Sequence, residues 1–183
     1  MVVLGGGMGV YEADRYPHLN DEMRLLHTAS ADGRPVLGVC LGSQLLAAAL
    51  GGSVRKAPRK EIGWSGVRLL PDAEHDALFA EAPRSFAAFH WHGDAFTLPA
   101  GAVPLAASAM TPLQAFRGGP RTWGVQFHLE TDAQVLESML DSGREELSDA
   151  GADPTAIRAS AAAELPRLRE LALRIFGAWA ALL

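Results

Sequence analysis

One segment, Val36–Leu50 (VLGVCLGSQLLAAAL), constrains the fold of this chain more than any other. Val36 to Val39 is an apolar run of the length of a short buried strand, and Ser43 to Leu50 reads as a helix stopped by Gly51 and Gly52. Between them stands Gly38-Val39-Cys40-Leu41-Gly42, a G-x-C-x-G corner that holds the only cysteine in the chain. A strand that turns this sharply into a helix needs glycines where the backbones crowd, and it strains the residue at the apex. The apex side chain is pushed out at the carboxyl end of the sheet. The helix N-terminus points at its sulfur and favours thiolate. The N–H of Leu41 is then placed to stabilise an oxyanion. A lone cysteine is more often a buried apolar residue, and only the corner argues otherwise here.

The rest of the chain is read around this corner. Val2 to Leu4 reads as a short strand running into Gly5-Gly6-Gly7, and Leu19 to Ala31 as a helix broken by Asp32–Pro35. From Ser53 to Phe127 short alternating segments read as strands, several of them antiparallel: Gly63–Leu70, Ser85–His90, Val103–Ser108, Gln114–Arg117 and Thr122–Phe127. Asp132 to Leu147 reads as a helix. Pro154 suits a helix start, and Ala156 to about Ala181 is helical with a break or kink near Pro166. Strand, helix, strand, helix at the front is the order of an α/β protein with a parallel sheet.

At 183 residues, 49% hydrophobic and 20% charged, the chain suits one globular domain. A net charge of −5 gives no reason to expect nucleic acid or an anionic membrane as partner. The one basic cluster, Arg55–Lys60 (RKAPRK), reads as a solvated loop. A single cysteine forms no internal disulfide, so a reducing cytoplasm is expected. The start MVVLGGGMG lacks the features of a signal peptide, and no apolar run is long enough to span a bilayer.

A thiolate nucleophile calls for a histidine base and a group to orient it. His18, His27 and His75 read as surface residues. His128 follows the strand Thr122–Phe127, and Glu130 stands two residues on. A His-x-Glu at a strand end can aim imidazole and carboxylate into one crevice, where the carboxylate fixes the tautomer. Gly5-Gly6-Gly7 fails as a dinucleotide fingerprint, because Val10 stands where the last glycine belongs, and no Gly-Lys-Ser/Thr makes it a P-loop. It can instead offer a bare N–H to an oxyanion. His90 and His92 share a strand face, but no third ligand has convincing spacing, so neither metal nor cofactor is expected.

With these residues the chain resembles class I (triad) glutamine amidotransferase domains, above all the stand-alone group similar to the amidotransferase domain of GMP synthase. VVLGGGMGVYEADRYP, VLGVCLGSQLLAAALGG, EIGWSGVRL with HWHGDAF, and WGVQFHLET carry the resemblance from residue 2 to about residue 131. It implies an α/β three-layer sandwich with a mostly parallel, flavodoxin-like central sheet. The domain would be single over 1–183, with a catalytic core at 1–131 and C-terminal helices at 132–183. Relatives usually carry a βαβ unit of roughly 30 or more residues ahead of the first strand here. Without it an apolar edge is expected at Val2–Leu4, which favours homo-oligomers.

The resemblance also implies the chemistry. Cys40 attacks the side-chain amide of glutamine, Gly6 and Leu41 hold the oxyanion, and His128, oriented by Glu130, handles the proton. Gln44 is the expected substrate contact, and the turn at His92-Gly93-Asp94 shapes the pocket. Ammonia would pass to a separate synthetase or another acceptor. Gly7 and Leu129 replace prolines common in relatives, which leaves the triad spacing intact. Two alternatives stay open: a γ-glutamyl amide or peptide hydrolase on the same fold, and a truncated non-catalytic binding module.

Overall fold

The computed structural model describes residues 1–183. Its elements are β1 (Val2–Val3), α1 (His18–Ala31), β2 (Val36–Val39), α2 (Leu41–Ala49), β3 (Val54–Leu69), β4 (Ser85–Phe96), β5 (Val103–Ser108), β6 (Ala115–Gly119), β7 (Thr122–Val125), α3 (Ala133–Ser142), α4 (Arg144–Ala150) and α5 (Pro154–Ala180). Seven strands form one sheet in the order β1-β2-β7-β6-β5-β3-β4. The pairs β1–β2 and β2–β7 are parallel, and the other four are antiparallel. The expected α/β layering holds, but the sheet is mixed rather than mostly parallel. Parallel neighbours need a long crossover: α1 lies between β1 and β2, and α2 with β3–β6 lies between β2 and β7, whereas the antiparallel neighbours β5–β6 and β6–β7 are joined by short turns.

Alternation along the strands divides the core between two faces. Val36 of β2 and Phe116 of β6 face α1 and α2, where they pack with Leu19, Leu26, Leu45 and Leu46. Leu37, Val39, Trp123 and Val125 face the other way, into a cluster shared with Leu136 of α3 and Leu168, Leu171 and Ile175 of α5. Helices on both faces of one sheet make three layers. The sheet begins at β1, where Val2 and Leu4 are exposed. No helix is long and apolar enough to cross a membrane.

Several elements differ from the sequence reading. Arg55–Lys60 is strand, not loop: β3 runs 16 residues and pairs with β4 through a register shift between Lys56 and Glu61. Its outer half is largely exposed, so no burial pattern marks it, and only backbone pairing holds it extended. β4 likewise continues past His90 to Phe96, so His92-Gly93-Asp94 is strand rather than turn. The helix expected over Asp132–Leu147 divides at Gly143, which packs against the Trp91 ring. Asp132 caps α3, accepting from Val135 N. α5 starts at Pro154 behind the Asp153 cap, as the proline implied, but runs unbroken through Pro166. Pro166 and Ala162, one turn earlier, are exposed, so the carbonyl freed by proline can turn to water.

Candidate active site

The corner takes the strained form its glycines imply. Cys40 has φ 51 and ψ −113 and is the only non-glycine residue with positive φ. A Cβ on Gly38 would stand 2.4 Å from the Gly42 carbonyl oxygen, and one on Gly42 would stand 2.1 Å from that of Val3. β1, β2 and α2 therefore meet backbone to backbone, which fixes the angle between strand and helix. Cys40 N donates to Val125 O at 2.8 Å, and Cys40 O accepts from Ser43 N, Gln44 N and Ser43 Oγ. These bonds hold the apex against its strain. As the first residue of α2, Leu41 has no carbonyl one turn back to receive its N–H.

His128 lies just beyond β7 and is anchored from outside that strand. Its N–H donates to Phe89 O of β4 at 2.8 Å, an isolated antiparallel bridge. Its Nδ1 lies 2.6 Å from Glu130 Oε1, so Nδ1 carries the proton toward the carboxylate. Its Nε2 is buried and has no other hydrogen bond of regular geometry. The imidazole and the thiol flank Gly5: a Cβ there would lie 3.2 Å from His128 Cε1 and 3.3 Å from Cys40 Cβ. Burial pulls the His128 pKa down, but the Cys40 sulfur and the Glu130 carboxylate outweigh it and hold the imidazolium up to about 10. A proton kept on imidazole beside sulfur is the arrangement that sustains a thiolate.

Cys40 and His128 open on a cleft of about 1390 Å³. Gly6, Leu41, Gln44, His92, Gly93, Asp94 and Glu130 line the same cleft, so the residues expected from sequence converge on it. A Cβ on Gly6 would lie 3.0 Å from Leu41 Cδ2, which puts the two expected oxyanion residues side by side. Asp94 accepts from Tyr11 OH at 3.3 Å, and burial raises the pKa of each. His92 turns both ring nitrogens away from open space, with Nδ1 3.2 Å from Asp94 O and Nε2 3.6 Å from Glu61 Oε2.

Three neighbours of the sulfur escaped the sequence reading. Gly5, not only Gly6, lies against the thiol. The Trp91 carbonyl is 3.7 Å from Sγ. Gln126 Nε2 is 4.0 Å from Sγ, while its Oε1 accepts from Gln44 Nε2 at 3.3 Å. A wholly buried glutamine inside the apolar run GVQFHL was the available signal for the last. Sequence spacing also offered His90 and His92 no third metal-ligand type. The structure supplies one: Glu61 of β3 stands opposite His92 of β4, and one donor atom from each of the three lies within 4.8 Å of the others.

Comparison with known proteins adds four likenesses. A family model described as glutamine amidotransferase class-I matches residues 1–142. The glutamine amidotransferase-like protein YfeJ of Salmonella typhimurium is 33% identical over 153 residues, 82% of this chain and 64% of that protein. A GMP synthase [glutamine-hydrolyzing] of Thiobacillus denitrificans is 36% identical over 138 residues, 71% of this chain but 25% of the synthase. This chain thus spans less than two thirds of the first relative and a quarter of the second. The crystal structure of a glutamine amidotransferase from Thermotoga maritima matches with a TM-score of 0.87 at 32% identity, covering 97% of this chain and 77% of that one.

Proposed function

The chain belongs to the class-I glutamine amidotransferase family, and from that premise we propose that it hydrolyses the side-chain amide of glutamine with Cys40, His128 and Glu130 as its triad. The Cys40 thiolate adds to the amide carbon. The N–H groups of Leu41 and Gly6 receive the oxyanion. His128 gives its Nε2 proton to the leaving nitrogen, ammonia departs, and a glutamyl thioester remains. His128, now neutral, takes a proton from water as the water attacks the thioester. Glutamate leaves and the thiolate returns. Glu130 keeps the ring oriented throughout. Gln44 contacts the substrate, and His92, Gly93 and Asp94 shape the pocket. Residues 1–131 carry the chemistry and 132–183 cover the sheet, within one domain.

A single observation carries this reading: the strained Cys40 shares the glycine-lined wall at Gly5 with an imidazole already paired to a carboxylate. We propose that the ammonia passes to a synthetase, since the GMP synthases to which this chain is similar are glutamine-hydrolysing. The test is glutamate release from glutamine by wild type and Cys40→Ala, together with labelling by a glutamine-analogue chloroketone. Thiol-dependent release lost in the variant is expected. Equal rates would overturn the triad, and folded protein that takes no label would favour a binding module. The cleft of about 1390 Å³ is larger than glutamine alone fills, which favours γ-glutamyl amides or peptides as a second substrate class. Parallel assays on glutamine and γ-glutamyl dipeptides decide between them.

A further inference from the structure

Glu61, His90 and His92 form a second cluster of chemistry-bearing side chains, in which neither Cys40 nor His128 takes part. Register brings it together: Glu61 pairs with His92 and Gly63 with His90 across β3 and β4. The two imidazoles, at i and i+2, share one face with ring centroids 5.8 Å apart. His92 Nε2 lies 3.6 Å from Glu61 Oε2, and His90 Nδ1 lies 3.9 Å from Glu61 Oε1. All three residues are buried, at 2%, 0% and 5% exposure for Glu61, His90 and His92.

The protons are committed elsewhere. A carbonyl oxygen only accepts, so the 3.2 Å contact with Asp94 O fixes the His92 proton on Nδ1. Its Nε2 lone pair then lies beside the Glu61 carboxylate, with one long contact of 3.4 Å from Gln114 Nε2. Glu61 Oε2 already accepts from Ser108 Oγ, Thr111 Oγ1 and Gln114 Nε2, each at 2.9 Å. Glu61 Oε1, both nitrogens of His90 and Gln114 Oε1 are buried without a protein partner. Buried polar atoms without partners are costly, and a cation held among Glu61, His90 and His92 would satisfy acceptors there. The surroundings match what holds metal ligands in place, with imidazole N–H on a carbonyl and hydroxyls on the carboxylate.

We propose that Glu61, His90 and His92 bind one zinc ion, with a water as fourth ligand. Two imidazole nitrogens and a carboxylate oxygen are a zinc donor set. Zinc bonds of about 2.0–2.2 Å place tetrahedral donors about 3.3–3.6 Å apart, so donors now within 4.8 Å of one another need to close by at most about 1 Å, which rotation of the side chains supplies. Glu61 and His92 border the cleft, which gives an entry path. The ion would clasp β3 to β4 and stiffen the wall that carries Trp91 and Asp94.

The test uses full-length Cys40→Ser protein without an affinity tag, stripped with chelator, dialysed against zinc and gel-filtered. About one zinc per chain is expected, with a higher melting temperature than the stripped protein. Cobalt in its place should give visible absorption bands of a tetrahedral site. Glu61→Gln and His92→Ala should each lose the metal. Should either fail to fold, zinc-edge X-ray absorption on the unsubstituted site decides, with two imidazoles and oxygen expected. Less than about 0.2 zinc per chain, retention of zinc in folded His92→Ala, or a coordination shell without imidazole would each overturn the proposal. So would zinc that binds wild type but not Cys40→Ser, because it would belong to the thiol.

Discussion

His128 Nδ1 lies 2.6 Å from Glu130 Oε1, although the two residues leave a strand end with only Leu129 between them. The contact fixes the tautomer and, with the Cys40 sulfur, keeps the ring protonated up to about 10. The folded pKa stands above the unfolded value of about 6.5, so the stability it contributes is full below about pH 6.5 and lost as pH rises through about 10. Glu130→Gln should lower the alkaline limb of kcat/KM and reduce kcat by about 100-fold. A pH–rate profile of glutamate release checks both, and an unmoved alkaline limb would separate Glu130 from the imidazole.

Cys40 holds φ 51 without being glycine. Cys40→Ala should abolish activity and keep the strain. Cys40→Gly should abolish activity and relieve it, so it should be the more stable of the two by about 1 kcal/mol. Urea melts of the pair measure this. A less stable Cys40→Gly would show that the corner is not strained.

Gly42 meets the backbone of Val3, not a flexible side chain, so a methyl group there cannot be absorbed by rotamer change. Gly42→Ala should destabilise the protein by about 3 kcal/mol or more and tilt α2 away from β1. Activity should fall with it, because Leu41 and Cys40 ride on that helix. Thermal melting and kcat together check the claim, and a variant with wild-type values in both would refute it.

Burial pushes the imidazoles of His90 and His92 down to about 4, against a partial opposing pull from Glu61. Unfolded, each protonates near 6.5. Their burial as neutral rings therefore leaves stability intact above about pH 6.5 and erodes it as pH falls toward 4. Urea midpoints measured in EDTA should drop steeply over that interval, and His90→Gln should flatten the slope. Equal slopes in the two proteins would place the acid sensitivity elsewhere.

The candidate site was legible where its chemistry is local. G-x-C-x-G announces a strained corner because Gly38 and Gly42, which crowd each other there, are four positions apart, although the second crowding of Gly42, against Val3, is not local. His-x-Glu announces a pair because two side chains at i and i+2 of an extended segment share a face. The start of α5 was legible at Pro154 for the same reason. The outer half of β3 was not, because Val54 to Lys56 are held extended by pairing with β4 rather than by any pattern of their own. Nor was the break at Gly143, which reflects the Trp91 ring packed against it from another strand.

The sequence by itself determined that a thiol would stand at a kinked strand-to-helix junction and that an imidazole would carry its own carboxylate, since both follow from backbone sterics over a few residues. Only the tertiary structure decided that the two share a wall at Gly5, that Gln126 reaches the sulfur, and that Glu61 faces His92. Those contacts join residues 31 to 123 positions apart in the chain. Their distances are set by strand register and by packing across the sheet, which spacing along a chain does not encode.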